Sequence, residues 1–87
     1  MRIREFQDFI RKRYYQRDSE RGTPGTFMWL VEEVGELSSA LAAGEQANME
    51  EEFADVLAWL CTLANINDVD LETAIQKYTV RGVDGFK

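Results

Sequence analysis

Apolar residues recur every three or four positions along most of the chain, which is the spacing of amphipathic α-helices. The first stripe is formed by Ile3, Phe6, Ile10 and Tyr14. Three further apolar stripes with the same spacing begin at Phe27, Phe53 and Leu71. They predict four helices, which run from Arg2 to about Arg17, from Phe27 to about Ala43, from about Met49 to about Asn65, and from Leu71 through Tyr78.

Polar residues and glycines mark the ends of these helices. Thr26, Asn48 and Asp70 are suitable N-caps for the second, third and fourth helices, and Gly44 is a suitable stop for the second. Residues 18–25 contain two glycines and the only proline, and they interrupt the periodicity, so they predict a loop. The sequence therefore predicts an all-α fold, a four-helix bundle, in one domain that covers residues 1–87.

Composition favours a folded protein of the cytoplasm. The chain is 45% hydrophobic and 30% charged, and it has neither a signal-peptide pattern nor an apolar run near the roughly 18 residues of a membrane span. The single cysteine, Cys61, cannot form an internal disulfide, which favours a reducing compartment. A chain of 87 residues buries only about 60 to 65% of its unfolded surface. We therefore expect it to be an oligomer.

Charge is distributed unevenly. All ten Lys and Arg residues lie at or before Arg21 or at or after Lys77, whereas residues 22–76 contain eleven acids and no basic residue. This acidic middle needs either the terminal helices packed beside it or a divalent cation. It also argues against a nucleic-acid duplex as partner. Because the chain contains no histidine, carboxylates are the main groups for acid–base or metal chemistry.

Two acid pairs lie at the edges of the apolar stripes in this middle region. Glu33 with Glu36, and Glu52 with Asp55, are each three residues apart and therefore share a helix face. Glu5 and Asp8 have the same spacing, so spacing alone does not identify a site. Two interpretations remain open: a site for Mg²⁺, with Mn²⁺ as a substitute, because these metals prefer hard oxygen ligands, and an acidic surface neutralised by solvent or by the terminal helices.

The segments 30–37 and 51–59 resemble a known signature. LVEEVGEL followed by EEFADVLAW is similar to the EExxE…ExxD pattern of MazG-like nucleotide pyrophosphohydrolases, an all-α superfamily that includes dimeric dUTPases. The resemblance implies hydrolysis of a nucleoside triphosphate to the monophosphate and pyrophosphate by a metal-activated water. It implies Mg²⁺ ligands at Glu33, Glu36, Glu52 and Asp55, a supporting acid at Glu32, and a homodimer or dimer of dimers.

Several other residues are candidates for substrate binding. Trp29 and Trp59 lie on the acid-bearing sides of their helices, where an indole can stack on a nucleobase; packing at the rim of the core is the alternative. Arg21, Lys77 and Arg81 are candidates for triphosphate contacts, and simple charge balance is their alternative. The competing hypothesis for the whole chain is a non-catalytic helical module that oligomerises or binds a partner while it retains a divalent-metal site.

Overall fold

The computed structural model describes residues 1–82, in which every regular element is helical. The elements are α1 (Ile3–Ala43), α2 (Gln46–Ile66), α3 (Leu71–Ala74) and α4 (Gln76–Thr79). The all-α prediction is confirmed. The predicted domain extends to residue 87, and residues 83–87 lie outside the described part.

Helix α1 bends sharply at Gly22. A straight helix of 41 residues would be about 60 Å long, whereas the longest dimension of the molecule is 36 Å. Gly22 has φ 80° and ψ 174°, a conformation that is essentially restricted to glycine. It divides α1 into two helical parts, which we call the first arm (residues 3–21) and the second arm (residues 23–43).

The loop predicted at residues 18–25 was therefore wrong. One glycine makes the turn, and Pro24 lies in the first turn of the second arm, where a missing N–H is tolerated. Thr26, the predicted N-cap, is fully buried inside the second arm. Thr23 lies at the bend and its hydroxyl accepts a hydrogen bond from Asn67 Nδ2 at 3.1 Å, which attaches the bend to the end of α2.

A short turn leads from the second arm into α2. Gly44 has φ 73° and donates its N–H to the carbonyl of Ala40, so the predicted stop is confirmed. The N-cap of α2 is Glu45, whose side chain accepts from the Ala47 N–H at 3.1 Å. The predicted N-cap, Asn48, was wrong, because α2 begins about one turn earlier. Because the turn is so short, α2 folds back along α1 and the acidic segments of both helices become neighbours.

The predicted fourth helix consists of two short pieces. Asp70 is its N-cap, as predicted, and accepts from the N–H groups of Glu72 and Thr73. Helix α3 then ends at Ala74, and α4 begins after Ile75. Helix α3 packs on α1, but the two pieces do not form a long fourth helix, so the four-helix bundle is not confirmed for the single chain.

Polar groups attach the first arm to the end of α2 and to the residues that follow it. Gln7 is buried, and its amide nitrogen donates to Asn65 Oδ1 at 3.0 Å and to the Val69 carbonyl at 2.7 Å. Its amide oxygen accepts from the Leu71 N–H at 2.9 Å. Among the described residues, the buried apolar side chains are few and mostly small: Ile10, Ala40, Cys61 and Ala64.

Many residues of the predicted apolar stripes remain accessible. The exposed fraction is 53% for Phe27, 48% for Val34 and 56% for Phe53. The packing of α1 against α2 thus leaves large apolar side chains in contact with water, and exposed apolar patches of proteins are often interaction sites. Among the described helices, none has a segment of the length and low charge that crossing a bilayer requires.

Candidate metal centre

Three carboxylates converge where the second arm meets α2. Glu33 and Glu36 lie one turn apart on the second arm, and Glu52 lies in the first half of α2. One oxygen from each of the three lies within 4.8 Å of the others. The turn at Gly44 and Glu45 produces this convergence because it brings the start of α2 alongside the second arm. We call Glu33, Glu36 and Glu52 the acid cluster.

Two members of the acid cluster are partly buried and incompletely paired. Glu33 and Glu52 are of intermediate exposure, whereas Glu36 is exposed. The Oε2 atoms of Glu33 and Glu52 are buried and have no hydrogen-bond partner among the described residues. Buried carboxylate oxygens without a partner are costly, so the arrangement needs either a proton or a cation.

Two carboxylates of the acid cluster, those of Glu33 and Glu52, have raised pKa values and hold protons more tightly than isolated carboxylates do. The pKa of Glu33 is raised from 4.5 to about 7, first by burial and then by a hydrogen bond with Glu36. The negative charges of Glu36, Asp55 and Glu52 add to this shift. The pKa of Glu52 is also raised, again first by burial and then by the charge of Glu36. A cation in the cluster would reverse these shifts by favouring the ionised carboxylates.

Asp55 and Glu32 lie beside the acid cluster rather than in it. Both are exposed. The charge of Asp55 raises the pKa of Glu33 and of Glu52, which places its carboxylate within electrostatic reach of both. Of the four carboxylates predicted as metal ligands, the structure thus brings three together and leaves Asp55, with its shorter side chain, at the edge.

An aromatic layer adjoins the acid cluster. Trp29 and Trp59 stack on each other with ring centroids 6.0 Å apart and planes inclined by 14°. Trp29 precedes Glu33 by four residues on the second arm, a rise of about 6 Å, and Trp59 follows Asp55 by four residues on α2. Arg21 joins this layer, since its Cζ lies 4.9 Å from the centre of the Trp59 ring. Three of the predicted substrate-binding residues are therefore neighbours.

The family model for the MazG nucleotide pyrophosphohydrolase domain matches residues 23–82. The chain belongs to the MazG family. No curated protein shows significant sequence similarity to the chain. The resemblance identified from the sequence is confirmed, and the matched MazG segment contains the acid cluster, Asp55, Glu32 and both tryptophans. The match begins directly after Gly22, so the first arm lies outside it.

The residues of this MazG domain fit a divalent cation. MazG proteins use divalent metal ions, and the acid cluster offers only hard oxygen atoms, which suit magnesium and manganese better than zinc or copper. The unpaired Oε2 atoms of Glu33 and Glu52 are the specific observation that supports a cation here. Cys61 is buried, and its pKa is raised by burial, so its thiol is a poor metal ligand.

The remaining predicted cations lie at the end of the described chain. Lys77 and Arg81 are exposed, one on α4 and one just after it. Lys77 Nζ lies 4.9 Å over the ring of its neighbour Tyr78. Neither side chain forms an ion pair with a described acid. Within residues 1–82, neither cation is therefore paired with a carboxylate of the acid cluster.

Two features that lie near Trp59 were not predicted from the sequence. The first is a groove of about 210 Å³, lined by Ile10, Tyr14, Arg17, Ala58, Trp59 and Thr62. The second is Asp18, which is only 2% exposed and pairs with Arg21. The spacing of an acid and an arginine three residues apart could have indicated this pair, but the predicted loop concealed it.

Proposed function

We propose that the chain is a Mg²⁺-dependent nucleoside triphosphate pyrophosphohydrolase that releases a nucleoside monophosphate and pyrophosphate. The observation that carries the proposal is the convergence of Glu33, Glu36 and Glu52, with two buried and unpaired oxygens, inside the segment that matches the MazG domain. An exposed acidic surface would leave its carboxylates apart and hydrated, and therefore does not account for this arrangement.

Glu33, Glu36 and Glu52 would hold the metal ion, with Asp55 as a further ligand at the edge. When bound, Mg²⁺, or Mn²⁺ in its place, neutralises charge on phosphate oxygens and acidifies a water molecule. Ionisation of Glu33 and Glu52 accompanies this binding because their pKa values are raised in the free protein. Glu32 lies outside this ligand set and is exposed, which makes it our candidate for accepting the proton of the attacking water.

The aromatic layer and Arg21 would bind the nucleotide. Trp29 is 47% exposed, so a nucleobase can stack on the tryptophan pair from that side. Arg21 lies over Trp59 and offers a guanidinium for a phosphate group. We keep Lys77 and Arg81 as candidates for triphosphate contacts that a second subunit or the bound substrate would bring closer.

We further propose that the MazG domain works as a homodimer or a dimer of dimers. Its support is the accessible apolar surface on the second arm and α2, which includes Phe27, Val34, Phe53 and Leu57. Covering this surface with a second copy would remove large apolar side chains from water. Light scattering of the purified chain measures the oligomeric state directly, and a monomer at micromolar concentration would contradict the proposal.

Product analysis tests the reaction. The purified chain is incubated with ribo- and deoxyribonucleoside triphosphates and Mg²⁺, and the phosphate products are identified. We expect monophosphate and pyrophosphate, both abolished by excess chelator and by Glu36→Gln. Glu50→Gln, which removes an exposed acid of α2 outside the acid cluster, is the matched control and should retain activity. If the folded wild-type chain cleaves none of the nucleotides, the non-catalytic metal-binding module becomes the better explanation.

A further inference from the structure

The end of the first arm contains a buried ion pair that the MazG match does not cover. Asp18 Oδ1 accepts a hydrogen bond from Arg21 Nη2 at 2.5 Å, and the side chains of Asp18 and Arg21 are 2% and 19% exposed. Both residues lie before residue 23, where the family match begins. A buried aspartate at the end of an arm that is otherwise rich in basic residues calls for an explanation.

Three contacts fix the Arg21 side chain. Asp18 binds one end of the guanidinium. The ring of Trp59 lies beneath it, with 4.9 Å from Cζ to the ring centre. Gly25 lies against its aliphatic part, because a Cβ at that position would be 2.9 Å from Arg21 Cγ. The guanidinium is therefore held in one place, at the aromatic layer that adjoins the acid cluster.

The guanidinium is also left with an unused donor. Arg21 Nη1 is buried and has no hydrogen-bond partner among the described residues. Such a donor is costly unless something accepts from it. The Arg21 side chain keeps 19% of its surface exposed, and a phosphate oxygen that approaches from this side can accept charge-assisted hydrogen bonds from the guanidinium. The second oxygen of Asp18 is likewise buried and unpaired, so Arg21 is the cation on which this carboxylate depends.

We propose that Asp18 is a positioning residue, whose buried carboxylate fixes the guanidinium of Arg21 over Trp59 so that it meets a phosphate group of a nucleoside triphosphate. The inference rests on the proposed function for the identity of the ligand. Asp18 itself does not touch the substrate. The Asp18 carboxylate also neutralises the Arg21 guanidinium. Arg21 therefore does not form an ion pair with the acid cluster, where it would compete with the metal ion.

The first experiment follows Arg21 itself and needs no turnover. Side-chain ¹⁵N NMR reports the mobility of the Arg21 Nε–H group, which is assigned by its loss in Arg21→Gln. We expect an ordered group in the wild-type chain and a mobile one in Asp18→Asn, which preserves shape and removes charge. Glu72→Gln, which weakens an exposed ion pair with Arg4 elsewhere on the same arm, is the control. Equal order in the Asp18→Asn and wild-type chains would overturn the proposal.

The second experiment measures substrate affinity in a double-mutant cycle. A nucleoside triphosphate with a methylene bridge between its α and β phosphorus atoms resists the proposed cleavage, and tryptophan fluorescence reports its binding. We expect Asp18→Asn to weaken binding about tenfold, the scale of one charge-assisted contact, and to have no effect in an Arg21→Gln background. In turnover, the same variant should raise KM while kcat changes little.

Gly25→Ala displaces Arg21 without altering Asp18. Alanine is the better helix former, so a loss of affinity in this variant cannot be attributed to a weaker helix. We expect it to reproduce the effect of Asp18→Asn on binding. An equal loss from Asp18→Asn with and without Arg21, or no loss from Gly25→Ala, would overturn the proposal. If the wild-type chain binds the analogue with this pattern but cleaves no nucleotide, the positioning role stands and the proposed reaction fails.

Discussion

The two arms of α1 have the same secondary structure and opposite chemistry. Residues 1–21 carry seven of the ten basic residues, whereas the second arm carries Glu32, Glu33 and Glu36 and no basic residue. The second arm belongs to the matched MazG segment and the first arm does not. Two of the three members of the acid cluster, Glu33 and Glu36, are thus provided by the second arm, and Arg21 by the first. Their meeting point is the bend at Gly22.

The arms are also held in different ways. Hydrogen bonds of Gln7 attach the first arm to Asn65 at the end of α2 and to Val69 and Leu71 just after it. The second arm, in contrast, meets α2 through the stacked tryptophans and the acid cluster. Polar anchoring fixes direction as well as contact, because hydrogen bonds require particular geometry. The comparison suggests that the first arm positions groups and that the second arm carries the chemistry.

The largest expected effect comes from breaking the acid cluster, to which the second arm contributes Glu33 and Glu36. Glu36→Gln removes the charge of one of the three converging carboxylates. We expect kcat to fall by at least about 100-fold, because loss of a metal ligand removes transition-state charge stabilisation. Asp8→Asn is the matched control, since Asp8 and Glu5 form a pair of the same spacing on the first arm. An equal loss of kcat in both variants would show that the acid pair of the second arm is no more important for catalysis than the acid pair of the first arm.

The next largest effect concerns the bend that separates the arms. Gly22→Ala forces a side chain into φ 80°, ψ 174°, which costs about 1–3 kcal/mol. We expect Tm to fall by roughly 5–20 °C for a domain of this size. Gly35→Ala is the control, because Gly35 lies in the second arm with open space around it. That variant should raise Tm by about 4–8 °C, since alanine favours helix by about 1 kcal/mol. Unchanged thermal stability in Gly22→Ala would mean that the bend is not fixed by this glycine.

A pH titration tests the acid cluster without catalysis. The folded chain binds the Glu33 proton more tightly than the unfolded chain does, because the pKa is raised from 4.5 to about 7. The contribution of Glu33 protonation to the free energy of unfolding is therefore complete below about pH 4.5, and it is lost as pH rises through about 7. In chelator, we expect Tm to fall between about pH 5 and pH 8.

Added Mg²⁺ should restore Tm at the upper end of this range, because a cation pairs the ionised carboxylates. Glu33→Gln should weaken the dependence of Tm on pH in chelator. The dependence that remains would come from Glu52, whose pKa is raised in the same direction. A Tm that does not change with pH in chelator would contradict the electrostatic description of the acid cluster.

The sequence predicted the elements with strong local signals. Gly44 and Asp70 end and begin helices as expected, because a positive φ and an N-cap side chain are properties of single residues. The acid pairs were predicted on the correct helices, and the EExxE…ExxD pattern identified the family. Convergence of Glu33, Glu36 and Glu52 followed from that order and from the short turn between the helices.

The parts that failed depend on contacts between distant residues. The predicted loop at residues 18–25 counted two glycines and a proline as equal helix breakers, but Gly22 alone breaks the helix and Gly25 is helical. Trp29 and Trp59 were each weighed as a separate platform, and their stacking on each other requires a three-dimensional arrangement. Burial of Asp18 depends on that same packing, so no local pattern revealed it.

The smallest expected effect concerns how the first arm is held. Arg4 forms exposed ion pairs with Asp70 at 3.0 Å and Glu72 at 3.4 Å, and such pairs contribute little because water and salt screen them. Arg4→Gln should therefore lower Tm only slightly, and the difference should vanish at high salt. Gln7→Ala should lower Tm much more and independently of salt, because it leaves the buried Oδ1 of Asn65 without its donor. The reverse order would mean that charge, rather than buried hydrogen bonding, orients the first arm and with it Arg21.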